Sequence, residues 1–403
     1  MKSGIQTQKR CRFRNLVLAI MLALVLLNAK SAGRNLLPGQ KAGSSKVLRT
    51  MARVYMAGGN YTKAQPLAEN ALTLAKTTEN SDSELCLCLI DLAYLYENQG
   101  KFTDAEDMCK KGLELQKKLY YENHPYVAGT LRILSSIYQG QAKYEQARAV
   151  LEQAMTIMQT SHLPDDPALA PFQVDLARVL MIEGKYDEAE SNFLHALDLI
   201  NKSYGPDHLY TAGVHGSLAE LYRLQGRYDE AENLIHKTLT VQQSVYGSEH
   251  HLLVPTWMTQ ARICQAKKDY KTAELLLKKS LTIVETEYGT EHPLTGKVYS
   301  LLGQLYIEEH KFSQAQSICE RAENLLQASL GPNNNYTAMA QNSLAILYIH
   351  QNKFIEARQL ADSALRTLEN IFEPDHPSCA RVNETLQQLQ ERKPTTTEVV
   401  KLM

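Results

Sequence analysis

The chain has 403 residues, 44% apolar and 22% charged, with a formal net charge of −1. That balance is ordinary for a folded soluble protein and argues against nucleic acid as a partner, because acids outnumber bases along most of the chain. Length alone suggests two or three domains, a prior that fails for a chain that repeats itself.

Charge is unevenly distributed. Residues 1–68 hold twelve Lys or Arg and no acid, and the rest holds 31 bases against 44 acids. A basic leader ahead of a solvated acidic body accounts for this, and a basic end facing an anionic membrane is the alternative. Lys2, Lys9, Arg10, Arg12 and Arg14 precede an uncharged, mostly aliphatic run from Leu16 to Leu27. Ala29, Ser31, Ala32 and Gly33 follow it, so cleavage is expected after Ser31 or Gly33. The run is shorter than the ~20 residues a bilayer span needs. Residues 1–33 therefore read as a signal peptide or, if uncleaved, a signal anchor that tethers the chain through residues 16–27. Export to a periplasmic or extracellular space, or membrane anchoring, is the expected location. Residues 34–43 read as a linker.

From residue 44 the chain repeats every 42 residues, the first unit being one residue shorter. His124, Asp166, His208, His250, His292, Asn334 and His376 align without an insertion, each in a short junction. Between junctions, Ala64, Ala105, Ala147, Ala189, Ala231, Ala273, Ala315 and Ala357 form a column of alanine alone, with Tyr or Phe three residues before each. Two further columns hold only small residues, one running Ala52, Ala93, Ser135, Ala177, Ala219, Ala261, Gly303, Ala345, the other from Ala71 to Ala364. Antiparallel helices approach closely only where side chains are small, and apolar residues recur around these positions at helical spacing, as at Leu218, Leu221 and Tyr222. No unit buries that face alone, so neighbours stack into one core. Gly205, Gly247, Gly289 and Gly331 suit left-handed helix ends, and Pro125, Pro167, Pro293 and Pro377 suit first helical positions. Pro171 and Pro255, about four residues further in, are expected to delay the helix start. The junction histidines stand one per loop with no converging ligand, which reads as structural rather than metal-binding.

These columns, as in "LAELYRLQGRYDEAENLIHKTL", resemble the tetratricopeptide repeat, and the extended unit ending "YG-x-x-H-P" resembles the kinesin-light-chain type. The resemblance implies an all-α fold, an alpha-alpha superhelix of eight helix pairs over residues 44–392 with a C-terminal capping helix. Ser378–Arg392 supplies that cap, with Val382, Leu386 and Leu389 as its apolar stripe, and residues 393–403 are expected to be disordered. It also implies that the first helix of each pair lines a concave groove. That places Lys46, Arg49, Arg53, Arg132, Arg178, Arg223, Arg262 and Lys297 on the inner surface with Glu97, Glu220 and Glu308, and Ile307, Met339, Ile346 and Ile349 towards one end. Kinesin-light-chain repeats carry paired asparagines that grip peptide, and at the matching places only Asn342 fits. The partner-binding candidates are thus Arg49, Arg53, Arg132, Arg178, Arg223, Arg262 and Asn342.

No phosphate-binding glycine loop, zinc motif or nucleophile elbow is present, so neither an enzyme, a cofactor nor a metal is expected. The expected function is a non-catalytic scaffold for a protein or an acidic peptide, the carboxylate being what arginine pairs with best. A self-associating envelope component, or a cytoplasmic cargo adaptor, is the alternative, and the chain is read as monomer or dimer. The six cysteines beyond the leader fall at apolar helical positions and read as buried hydrophobes, with a Cys86 or Cys88 bridge to Cys109 as the alternative. Asn60, Asn201, Asn335 and Asn383 lie in N-x-[ST] patterns, relevant only to an exported eukaryotic chain.

Overall fold

The computed structural model describes residues 38–391, apart from 58, 59, 79, 80 and 164. The leader at 1–33 and the tail at 393–403 lie outside the described residues. All regular structure among the described residues is helical. The helices are α1 (Pro38–Ala57), α2 (Tyr61–Lys76), α3 (Asp82–Asn98), α4 (Phe102–Leu119), α5 (Pro125–Gly140) and α6 (Tyr144–Ser161). There follow α7 (Ala170–Ile182), α8 (Tyr186–Tyr204), α9 (Leu209–Leu224), α10 (Tyr228–Tyr246), α11 (Val254–Ala266) and α12 (Tyr270–Glu287). The last are α13 (Pro293–Glu308), α14 (Phe312–Leu330), α15 (Asn335–His350), α16 (Phe354–Glu369) and α17 (Pro377–Glu391). Eight consecutive pairs and a terminal helix result, and α1 begins inside the segment read as linker. Two packing units divide within α3, at Leu92 and Ala93.

In the first unit Ser45 donates to Ala71 O at 2.9 Å, and Ala71, Ala75 and Cys88 pack together with Leu48, Leu72 and Leu85. Its inner face is held by Arg49, which pairs with Glu84 at 3.0 Å and Asp91 at 3.3 Å.

The junction column has a capping role. His124, His208, His250, His292 and His376 each accept, through Nδ1, the backbone N–H two residues on, at 3.1–3.3 Å. Asp166 and Asn334 do the same through Oδ1, at 2.8 and 2.9 Å. His, Asp and Asn share the column because each offers an acceptor to an orphan N–H of the first turn. The glycines that end α8, α10 and α14 have φ of 84°, 91° and 84°. Pro171 and Pro255 act as expected. A 3₁₀ turn occupies Pro167–Leu169 and His251–Leu253, and α7 and α11 begin one residue before each proline.

The alanine column is wholly buried, every member at 0% exposure. The other small columns are buried too, and Gly303 shows why: a Cβ there would lie 2.4 Å from Cys319 Sγ. The aromatic column is mostly half-buried, and at Gly140 an added Cβ would strike the Phe102 ring at 2.2 Å. The six described cysteines are buried, as expected of small hydrophobes, and carry no disulfide among the described residues.

Residues 93–391 wind so tightly that later junctions rest on earlier helix ends. His292 Nε2 lies 2.9 Å from Asn98 O, Asn334 Nδ2 donates to Gly140 O at 3.2 Å, and His376 Nε2 lies 2.7 Å from Ile182 O. The C-termini of α3, α5 and α7 thereby meet the N-termini of α13, α15 and α17. Opposed helix ends satisfy orphan carbonyls and bring the negative end of one dipole to the positive end of another. Each of these three junction residues caps its own helix with one atom and the earlier turn with the other. Tyr144, stacked on Phe372 at 5.4 Å and bonded to Asn335 at 3.0 Å, closes the same seam. Gly100, at φ 73°, is needed there, since a Cβ would come within 2.5 Å of Pro293 Cγ.

Two outcomes are expected. Ala231→Leu overpacks a contact with no free space and should cost about 1–3 kcal/mol, read as a lower Tm. Burial pulls His292 and His376 below the usual 6.5, only partly offset by their bonds to Asn98 O and Ile182 O. The unfolded chain then takes up a proton first as pH falls, so this stability is complete above about 6.5 and is lost below it. Replacing both by Asn, as nature does at Asn334, should keep Tm near neutrality and flatten its fall between about pH 6.5 and 5; an unaltered acid profile would refute the coupling.

Candidate functional site: an interior lined by the first helices

The first helix of each pair from α7 to α17 contributes to a common interior. One cavity of about 290 Å³ has an apolar wall of Met181, Leu224, Met258, Leu301, Tyr336 and Met339. A neighbouring one of about 440 Å³ is lined by Ile307, Met339, Ile346 and Asn342 among others. Arg262 and Arg381 border both. Ile349, expected beside these, is instead buried at 1% exposure.

Polar side chains tie each first helix to the next. Ser136 of α5 donates to Glu97 of α3. Arg132 of α5 pairs with Asp175 of α7 at 3.6 Å, and Arg178 of α7 donates to Ser217 of α9 at 3.1 Å. Arg262 of α11 meets Glu220 of α9 at 2.6 Å, and Gln265 of α11 meets Glu308 of α13 at 2.7 Å. Gln304 of α13 reaches Ser343 of α15 at 3.3 Å. Six rungs thus join seven successive helices, and Arg381 of α17 has neither an ion pair nor a side-chain hydrogen bond among the described residues.

A family model for the tetratricopeptide repeat matches residues 44–108, 87–160, 169–235, 210–286, 255–328 and 294–370. The chain belongs to the tetratricopeptide repeat family. Its structure is similar to that of a Rap protein complexed with Competence and Sporulation Factor, at 14% identity over 87% of this chain and 99% of that one, TM-score 0.56. It is also similar to the apo quorum sensor NprR of B. thuringiensis, at 15% identity over 80% and 87%, TM-score 0.54. A kinesin-light-chain-type chain of P. anserina is 23% identical over 51% of this chain and 98% of that one, TM-score 0.38. At such identities the likeness shows the fold alone. No curated protein sequence matches the chain.

The arginines expected to line a tetratricopeptide groove are not free cations. Arg49 is 9% exposed and held by its two acids, and the mostly exposed Arg53 lies 3.9 Å from Asp91. Arg132 and Arg178 share Asp175, and Arg223 and Arg262 share Glu220. Asp91 in the first unit and Asp175 in the second each reduce the positive charge expected of the arginines beside them. Lys297 sits 3.6 Å over the Tyr336 ring. Asn342 is 1% exposed, and its Oδ1 has no hydrogen-bond partner. Arg381 was missed because α17 reads as a cap with a polar outer face. The signal was the 42-residue register, which puts Arg381 in the column of Lys297 and Met339.

Burial alone would raise the Glu220 carboxyl, but Arg262 and Arg223 outweigh it and hold it near 2. Burial pushes Arg262 the other way, down to about 10, because the attraction of Glu220 is opposed by Arg223 and Arg381. One carboxylate serves several cations, so the acid is firmly ionised while Arg262 is under-compensated. Glu97 differs again. Burial raises it to about 7, with the nearby Asp175 adding to the rise and Ser136 and Arg132 opposing it. Between about 4.5 and 7 the folded state keeps a proton that the unfolded chain has released, so this group's contribution to stability falls as pH rises through that window. Glu97→Gln should therefore raise Tm at pH 8 and leave it unchanged at pH 4.5; equal effects at both would contradict this account.

Proposed function

We propose that the chain is a non-catalytic scaffold that holds a peptide, or a segment of a partner protein, in the interior lined by its first helices. The observation that carries this reading is the interior itself. Apolar walls of Met258, Leu301 and Met339 stand beside Arg262 and Arg381. A concavity that sets apolar side chains among polar and charged ones suits a chain segment whose side chains and backbone both need partners. The Rap protein it resembles was solved with a factor bound, which supports the same use of the fold. No group of three or more His, Cys, Asp or Glu converges as metal ligands among the described residues.

The 42-residue register supports placing the repeats with the kinesin-light-chain type. Location is part of the proposal. The basic residues before an aliphatic run at 16–27 support export, or tethering by an uncleaved leader, and no described helix is long and apolar enough to cross a membrane.

A photo-crosslinking amino acid placed at Ile346, in the cavity wall, should capture the partner in native extract. The same group at Ile355, 71% exposed on α16, should not. Capture from Ile355 alone would move the binding face off the groove.

A further inference from the structure

His292, Asn334 and His376 fasten together stretches of chain that lie 194 residues apart. Each histidine is used at both ring nitrogens. Nδ1 accepts the N–H of Leu294 or Ser378 at 3.1 Å, so the proton of the neutral ring sits on Nε2 and is donated to Asn98 O or Ile182 O. Asn334 makes the same two bonds with an amide that does not titrate. The seam also holds the stacked rings of Tyr144 and Phe372, the Tyr144–Asn335 bond, and Pro293 against Gly100. The cavity of about 290 Å³ is built across it, with Met181, Ile182 and Tyr186 on one side and Tyr336, Phe372 and His376 on the other.

We propose that this seam is an acid-released latch: it is closed near neutrality through His292 and His376, and parts when the two rings are protonated, while the helix pairs on either side stay folded. A second proton can enter only at Nδ1, where it meets the backbone N–H which that atom was accepting. The ring loses its cap and turns, and Nε2 leaves the carbonyl with it, so one proton undoes two bonds. The imidazolium would also stand at the N-terminus of α13 or α17, where the positive end of the helix dipole opposes it. Lys297 opposes charge on His292 as well, whose ring lies beside Tyr288. Asp375 favours charge on His376, which shares its cavity with Tyr186, Arg262, Lys297, Tyr336 and Arg381. On the earlier stretch, Glu97 and Lys101 stand near Asn98 in the chain, and Glu183 and Lys185 near Ile182. Burial outweighs the favourable contributions at both rings, so each binds a proton more readily once the seam is apart. The Asn334 clasp falls between the two histidine clasps in chain order and keeps the register for reclosure. What parts is a contact between loops and helix ends, whereas each pair is held by its own buried alanine, so opening is local. The latch does not depend on what the interior binds.

The test is single-molecule energy transfer on the full chain. Donor and acceptor dyes are attached through non-canonical amino acids at the exposed Thr103 and Thr290, across the His292 clasp, and in a second protein at the exposed Asp187 and Glu373, across the His376 clasp. Both proteins should show one high-transfer population at pH 7.5. The ratio of open to closed molecules should rise by about tenfold or more by pH 5, with unchanged far-UV circular dichroism and full reversal on neutralisation. Replacing both histidines by Asn should hold the seam closed at pH 5, and replacing both by Ala should open it at either pH. Glu97 titrates near 7 but is bonded to Ser136, so Glu97→Gln should leave the transition where it is. Equal transfer at pH 7.5 and 5 in the wild type, low transfer that appears only with loss of helix, opening of the double Asn variant at pH 5, or a transition moved by Glu97→Gln would each overturn the latch.

Discussion

Close approach between helices at alanine is the constraint from which the rest follows. An alanine with no exposed surface in every pair sets how near two helix axes lie, and the small columns on the partner and neighbour faces set the next spacing. Because the same spacing recurs every 42 residues, each pair is rotated on its neighbour by a similar amount, and the rotation accumulates. Across residues 93–391 it brings α13, α15 and α17 back onto the ends of α3, α5 and α7. A wider contact at Ala189, Ala231 or Ala273, which lie between both pairs along the chain, would change the pitch and separate His292 from Asn98 and His376 from Ile182. Seam and interior are therefore consequences of packing density rather than of special binding residues.

That order of cause explains which features were legible in the sequence. Small columns, aromatic columns and junction punctuation are local and repeated, so eight copies of one pattern disclosed helix pairs, their boundaries and the delay before Pro171 and Pro255. The junction residues were read as structural for want of converging ligands, but their second bond was invisible. It joins atoms 194 residues apart, and no local pattern carries the accumulated rotation that brings them together.

The groove was legible as a face and not as a charge distribution. Counting arginines on first helices overlooked Asp91 of α3, which pairs with arginines of α1, and Asp175 of α7, which pairs with Arg132 of α5 and with Arg178. A first helix that carries a cation must also be tied to its neighbour, and a single ion pair or hydrogen bond serves both needs, as Arg132 with Asp175 and Arg262 with Glu220 show. Such half-buried pairs contribute little net stability, because desolvation offsets most of the attraction. What they supply is register between neighbouring first helices.

The same logic singles out the end of the array. Among the described residues the terminal helix packs on the pair before it, and no later helix is there to pair with its inner face. Arg381 occupies that place, in the column that holds Lys297 over Tyr336 and Met339 in the two preceding repeats. That helix presents the Arg381 guanidinium at the edge of the cavities that Arg262 also borders, with Glu308 in the lining of one of them. The described end of the array thus differs from its middle, where first-helix charges such as Arg132 with Asp175 and Arg262 with Glu220 hold neighbouring helices in line.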